Sequence, residues 1–306
     1  MMKPRTKRTI VGLLLAGLLL ATSILSAAYM VLFHRSHGEY FENGSVPIFY
    51  SDSGSGEPVI LLHGFAVNGD LNWRLTGVAP RLREEYRVIV PDLRGHGLSG
   101  KPEQPEAYGA EMAEDVIHLM DHLGIARAHV AGYSLGGYVA LKLAALNPDR
   151  LLSVSVLGAG WQDPETERGE AIFTAFSDIA NQLERGNSVN PVGTMFGDDS
   201  HQTTAWHRLQ VRLATRFLGN KKALAAMLRS VRGLSLPRQD VAAIATPMLI
   251  VCGERDPNFT SAVNLHNVQT KSTFISLPEK SHPATAMSKE LRNALVDFLG
   301  KHTDNV

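Results

Sequence analysis

The chain has 306 residues, and its 30 Lys and Arg are balanced by 30 Asp and Glu, so the formal net charge is zero. That balance leaves no electrostatic case for a nucleic-acid partner. The single cysteine, Cys252, excludes an intrachain disulfide and leaves stability to the core.

The first segment reads as an address. Lys3, Arg5, Lys7 and Arg8 precede an uncharged run over 10–33. At about 1.5 Å per residue this run reaches roughly 36 Å, enough to cross a hydrocarbon core of about 30 Å with some tilt. Residues 1–35 are therefore expected to be a cytoplasmic basic flank plus a transmembrane anchor. The alternative is a secretory signal cleaved near Ala28, since Ser26-Ala27-Ala28 offers small residues. The run continues from Tyr29 to Phe33 past that point, which favours the anchor. Either way the flank stays cytoplasmic and residues 36–306 lie on the other side. Those residues, about 270, suit one core with an insertion rather than two independent domains.

Short apolar runs at 46–50, 58–62 and 86–90 suit strands buried on both faces of a mainly parallel sheet. The second ends in His63-Gly64-Phe65. The third leads into Asp92-Leu93-Arg94-Gly95-His96-Gly97-Leu98-Ser99, where Asp92 reads as a loop organiser. A helix over 109–123 carries an apolar stripe of Met112, Val116, Leu119, Met120 and Leu123. His118 and His122 fall on its polar side near Asp115. No Glu follows His118 and no third ligand has a recognisable spacing, so the zinc-protease pattern fails.

The strand at 128–131 runs into Gly132-Tyr133-Ser134-Leu135-Gly136 and then into a helix over 135–146 that stops at Asn147-Pro148. A serine between strand and helix sits on a sharp turn with its oxygen exposed. Glycine is needed on either side because a Cβ there would collide with the neighbouring strand and helix.

After a strand at 152–157, residues 160–238 break the alternation. Ile172, Phe173, Phe176, Ile179 and Leu183 lie at helical spacing, then Trp206, Leu209, Leu213 and Phe217, then Leu224, Met227, Leu228 and Val231. They read as a helical cap inserted above the carboxyl edge of the sheet, where sites in such folds lie. A cap of this kind leaves an apolar cleft, which points to a small-molecule substrate with a hydrophobic portion. The alternation resumes with strands at 247–252 and 272–277 and helices at 261–268 and 284–300. Glu254-Arg255-Asp256 follows the first of these strands, and Ser281-His282 follows the second.

Together these segments resemble the α/β-hydrolase superfamily, in particular its serine-nucleophile esterases and lipases with a helical cap, over roughly residues 46–300. The chain order Ser…Asp…His is the order of that fold. The resemblance implies an α/β architecture whose mainly parallel sheet is flanked by helices. It also implies Ser134 as nucleophile, His282 as base and then acid, and Asp256 as the carboxylate that orients His282. Glu254 and Asp163 are rival acids. The backbone N–H groups of Phe65 and Leu135 would form the oxyanion hole. No metal or organic cofactor is implied. The serine excludes relatives with an aspartate nucleophile. The expected reaction is carboxylic ester hydrolysis through an acyl-enzyme. Lactones, thioesters, amides, carbon–carbon bonds and perhydrolysis remain open on the same residues, as does a ligand-binding protein with vestigial turnover.

Overall fold

Val59 and Leu61 pack into one hydrophobic cluster, while Ile60 and Leu62 pack into another. Successive strand residues face opposite sides of a sheet, so a continuous apolar run is satisfied only where both faces are covered. The same split occurs at Val88 and Ile89 and at Leu249 and Ile250.

The computed structural model describes residues 37–187 and 220–303. Its strands are β1 (Glu39–Asn43), β2 (Val46–Ser53), β3 (Pro58–Leu62), β4 (Arg87–Pro91), β5 (Ala128–Tyr133), β6 (Leu151–Leu157), β7 (Met248–Gly253) and β8 (Thr273–Leu277). They form one sheet in the order β1-β2-β4-β3-β5-β6-β7-β8. The β1–β2 and β2–β4 pairs are antiparallel, and all others are parallel. β5 thus lies near the middle, and its carboxyl end is flanked by the ends of β3 and β6.

The helices are α1 (Val78–Leu82), α2 (Glu111–His122), α3 (Leu135–Leu146), α4 (Glu167–Glu184), α5 (Lys221–Ser230), α6 (Arg238–Ala243), α7 (Phe259–Val268), α8 (His282–Ala286) and α9 (Lys289–Gly300). One sheet face is covered by α2, α3 and α7, through Met112, Leu143 and Leu265 among others. The other is covered by α1 and α9, through Leu82, Leu295 and Phe298. Each fully buried aliphatic side chain contributes about 1.5–3 kcal/mol.

The structure adds α1 and α6, which the sequence reading did not place, and differs from that reading in three further details. Strand β1 precedes the first expected strand and joins β2 through a two-residue turn in which Gly44 takes φ 61°. The helix expected over 284–300 is two helices, because the chain turns at Ser288, whose Oγ accepts the Leu291 N–H and caps α9. Asp115 faces inward, not with the exposed histidines of α2. Its carboxylate accepts from Arg94 Nε (2.6 Å), Arg94 Nη2 (2.5 Å) and Asn43 Nδ2 (2.6 Å). This buried fork ties β1, the loop after β4 and α2 together.

Between β6 and β7 lie α4 and α5, packed through Ile179, Leu183, Leu224, Met227 and Leu228. Thr166 caps α4 and Asn220 caps α5. Phe173 is only half buried, under the Arg232 guanidinium at 4.8 Å. The stripe from Trp206 to Phe217 and the apolar run over 10–33 lie outside the described residues. Among the described residues no helix is long and apolar enough to cross a membrane.

Candidate active site

The turn from β5 into α3 works only with glycine at its flanks. A Cβ on Gly132 would lie 1.9 Å from Gly136 O, and one on Gly136 would lie 2.1 Å from Leu62 O. Ser134 between them takes φ 54° and ψ −116°, a conformation that costs a non-glycine residue about 1–3 kcal/mol. Its backbone is nonetheless paired. The Ser134 N–H donates to Leu157 O (2.8 Å), and its carbonyl accepts from the N–H of Gly137 (2.8 Å) and Tyr138 (3.2 Å).

The loop after β3 lies against this elbow, since a Cβ on Gly64 would be 3.3 Å from Ser134 Cβ. His63 Nε2 accepts the Leu93 N–H (3.0 Å), which leaves the proton on Nδ1 to be donated to Gly64 O (2.8 Å). The Gly64 N–H donates to Asn72 Oδ1 (2.9 Å). No hydrogen-bond acceptor is found for the N–H of Phe65 or of Leu135 among the described residues. Leu135 opens α3, where the first N–H groups have no intrahelical partner. Asp92 organises the neighbouring loop, accepting from the N–H of Gly69 (2.9 Å) and of Leu98 (2.8 Å).

His96, between Asp92 and Leu98 in the loop after β4, is fully buried with its ring 5.3 Å from His63. Burial, with the nearby His63 adding to it, holds its pKa down to about 3. An unfolded histidine titrates near 6.5, so on acidification the unfolded chain takes up this proton first. The stability due to neutral His96 is complete above about pH 6.5 and is lost from there toward pH 3, at about 1.4 kcal/mol per pH unit. Between pH 7 and 5, wild type is expected to lose about 2 kcal/mol more than His96→Asn in urea unfolding. Equal losses would show that another group governs the acid limb.

His282 is the first residue of α8, and its Nδ1 lies 2.7 Å from Asp256 Oδ2. The Asp256 side chain is wholly buried, and its Oδ1 accepts the Asn258 N–H (2.9 Å). Asn258 Nδ2 donates to Gly158 O (2.9 Å), and its Oδ1 accepts from the Tyr138 hydroxyl (3.1 Å), so the acid loop is tied to α3. The Tyr133 hydroxyl donates to His282 O, and the two rings lie 5.0 Å apart. Ser134, Asp256 and His282 therefore come from the turns after β5, β7 and β8. Asp256 and His282 are joined directly, while no hydrogen bond links Ser134 to His282. Bonds of this kind often tighten only around substrate.

The rivals lie elsewhere. Glu254 is exposed and accepts from Ser276 Oγ (3.3 Å), and Asp163 accepts the Glu165 N–H (3.1 Å) within its own turn. Neither is bonded to His282. Cys252 is buried, and its thiol pKa is pushed up by burial and by the neighbouring Asp256, which keeps it in the unreactive protonated form. His129 is a satisfied core residue between Ser153 Oγ (2.8 Å) and Glu57 Oε2 (3.3 Å). No sequence signal marks Asn72 or Asn258, because their partners, the Gly64 N–H for Asn72 and Gly158 O with the Tyr138 hydroxyl for Asn258, are brought near only by the fold.

Comparison with known proteins agrees with this architecture. A family profile described as alpha/beta hydrolase fold matches residues 57–283. A dihydrolipoyllysine-residue acetyltransferase component of the acetoin cleaving system from Pseudomonas putida is 32% identical over 251 residues, 81% of this chain and 64% of that protein. A 2-hydroxymuconate semialdehyde hydrolase from Pseudomonas sp. strain CF600 is 36% identical over 139 residues, 44% of this chain and 48% of that protein. The chain thus spans 48–64% of the length of these two relatives. Among solved structures, a membrane phospholipase A superposes with a TM-score of 0.67 at 24% identity, covering 97% of this chain and 99% of that one. At that identity the likeness is one of fold.

Proposed function

The chain belongs to the α/β-hydrolase fold family, and from that premise we propose that it is a serine hydrolase cleaving a carboxylic ester through an acyl-enzyme on Ser134. The observation that carries the reading is a serine held at φ 54° in a glycine-flanked elbow, with the buried Asp256 carboxylate bonded to His282 at 2.7 Å after later strands.

In this reading His282 Nε2 takes the Ser134 proton as Oγ attacks the ester carbonyl. A serine hydroxyl is a poor nucleophile without such a base. Asp256 keeps the other imidazole proton on Nδ1 and stabilises the imidazolium that forms. The developing oxyanion is met by the N–H groups of Phe65 and Leu135, and one such donor is worth about 2.7–4 kcal/mol. His282 then protonates the leaving alcohol and activates the water that releases the acid.

Substrate binding under the α4–α5 insertion, acting as a cap, belongs to the same proposal, with apolar side chains favouring a substrate that has a hydrophobic portion. So does a membrane anchor over residues 10–33, with the hydrolase domain on the non-cytoplasmic side. Retention of the full chain in the membrane pellet after alkaline carbonate, with release by detergent, is the expected result. A soluble mature chain starting at Tyr29 would replace the anchor with a cleaved signal.

Fluorophosphonate labelling, with the adduct mapped by mass spectrometry, tests the nucleophile. Modification of Ser134, together with turnover of nitrophenyl esters of graded acyl length, is expected. A folded chain that neither labels nor turns over any ester would be a binding protein instead. A second reading, hydrolysis of a carbon–carbon bond in a ring-cleavage product, draws on the muconate semialdehyde hydrolase relative. Consumption of that compound faster than any ester would favour it.

A further inference from the structure

Gly64 is gripped from two sides. Its carbonyl accepts from His63 Nδ1 (2.8 Å), and its N–H donates to Asn72 Oδ1 (2.9 Å). The Gly64 carbonyl and the Phe65 N–H belong to one planar trans peptide and therefore point in opposite directions. Holding the carbonyl on His63 fixes where the Phe65 N–H points. The preceding peptide carries the Gly64 N–H, and Asn72 holds that one. With both peptide planes fixed, neither torsion of Gly64 is free to turn. Glycine is the residue that most needs such restraint, because without a Cβ it has the widest backbone freedom. A bulkier residue is not an easy substitute, since a Cβ there would crowd Ser134 Cβ at 3.3 Å and touch Asn72 Oδ1 at 3.5 Å.

Asn72 is itself immobilised. It is buried in the π-turn Asp70–Arg74, its N–H donates to Asn68 O (3.1 Å), and its carbonyl accepts from Thr76 Oγ1 (2.8 Å). The Gly64 N–H also decides which side-chain atom is which, since only an oxygen accepts that proton. An acceptor delivered from a rigid turn eight residues away is a costly way to satisfy one N–H. It is an effective way to stop a glycine from rotating beside a nucleophile.

We propose that Asn72 is a positioning residue of the oxyanion hole: by holding the Gly64 N–H while His63 holds the Gly64 carbonyl, it sets the direction of the Phe65 N–H toward the charge that forms on the substrate. The inference rests on the serine-hydrolase reading above. It assigns Asn72 no contact with substrate. Its effect is therefore on stabilisation of the tetrahedral state and not on ground-state binding.

The test uses the full-length chain in detergent, with nitrophenyl butyrate as substrate. Butaneboronic acid serves as a mimic of the tetrahedral state, and butyl phenyl ether as an occupant without a carbonyl. Asn72→Ala is expected to lower kcat by about 10- to 100-fold, the scale of a displaced catalytic donor. It should weaken butaneboronate by a similar factor while changing inhibition by the ether less than about 2-fold. Gly124→Ala, which strains the backbone at φ 66° with nothing within 4 Å of the added Cβ, should lower the melting temperature without moving kcat or the boronate constant. If Asn72→Ala does not fold, Asn72→Thr is used, because its shorter side chain withdraws the acceptor while filling most of the space. Folded Asn72 variants that lose boronate and ether affinity equally, or lose neither, would overturn the proposal. Failure of the underlying reading looks different: wild type would be insensitive to the boronate, and Ser134→Ala would remain active. Both inferences would then fall together.

Discussion

Ser134→Ala is expected to reduce ester turnover by at least about 10³-fold while leaving the fold and melting temperature close to wild type. The activity loss follows because the members of such a triad act as a unit, so that removing one forfeits most of what the set provides. The stability expectation comes from this particular elbow. The bonds that hold it are made by the Ser134 backbone to Leu157, Gly137 and Tyr138, and alanine keeps them all. His282→Ala should be as damaging to turnover but less innocent structurally. It takes the partner from Asp256 Oδ2, a wholly buried oxygen, and an unsatisfied buried acceptor costs about 1–3 kcal/mol or more when charged. Asp256→Asn should be severe but leave more residual turnover than either. Initial rates on nitrophenyl butyrate beside thermal melts of the same preparations decide the matter. A folded Ser134→Ala that kept a tenth of wild-type turnover would remove this serine from the chemistry.

Seven strands and the elbow were legible because each is a local pattern. Runs such as 58–62 and 248–252 are apolar at every position, and Gly132 and Gly136 bracket Ser134 where strand meets helix. His282 and Asp256 were legible only through chain order, since nothing local distinguishes Asp256 from Glu254. What was not legible depends on partners far along the chain. Strand β1 contains Glu39, Glu42 and Asn43 and lies at the sheet edge, so it shows no buried run, although glycine after Asn43 is a hairpin signal. Asp115 falls among polar residues of α2 and turns inward because Arg94 and Asn43 arrive from other elements. Asn72 carries no pattern at all. Its importance lies in one hydrogen bond to a backbone N–H that the fold brings beside Ser134.

Gly132→Ala is expected to be among the most disruptive single-methyl changes at the described glycines, and the comparison with Gly124→Ala shows why. Gly124 sits at φ 66° after α2, with nothing within 4 Å of a Cβ placed on it. Alanine there has only the left-handed conformation to bear, about 1–2 kcal/mol. Gly132 lies within β5, paired to both β3 and β6. A Cβ on it would be 1.9 Å from Gly136 O, 2.2 Å from Gly136 C and 2.6 Å from Gly137 N. All three are backbone atoms of the first turn of α3, so no side chain can swing aside to make room. Either α3 shifts off the sheet or β5 loses register, and both movements disturb a core already at close-packed density. The cost is expected to exceed about 3 kcal/mol, beyond ordinary overpacking. The fraction that folds should also be a poor hydrolase, because Ser134 and the Leu135 N–H move with that turn. Urea unfolding of both variants beside wild type gives the stabilities, and fluorophosphonate labelling of the folded fraction reports the elbow. If Gly132→Ala proved no less stable than Gly124→Ala and labelled at the wild-type rate, the close approach of α3 to β5 would not be what shapes the turn at Ser134.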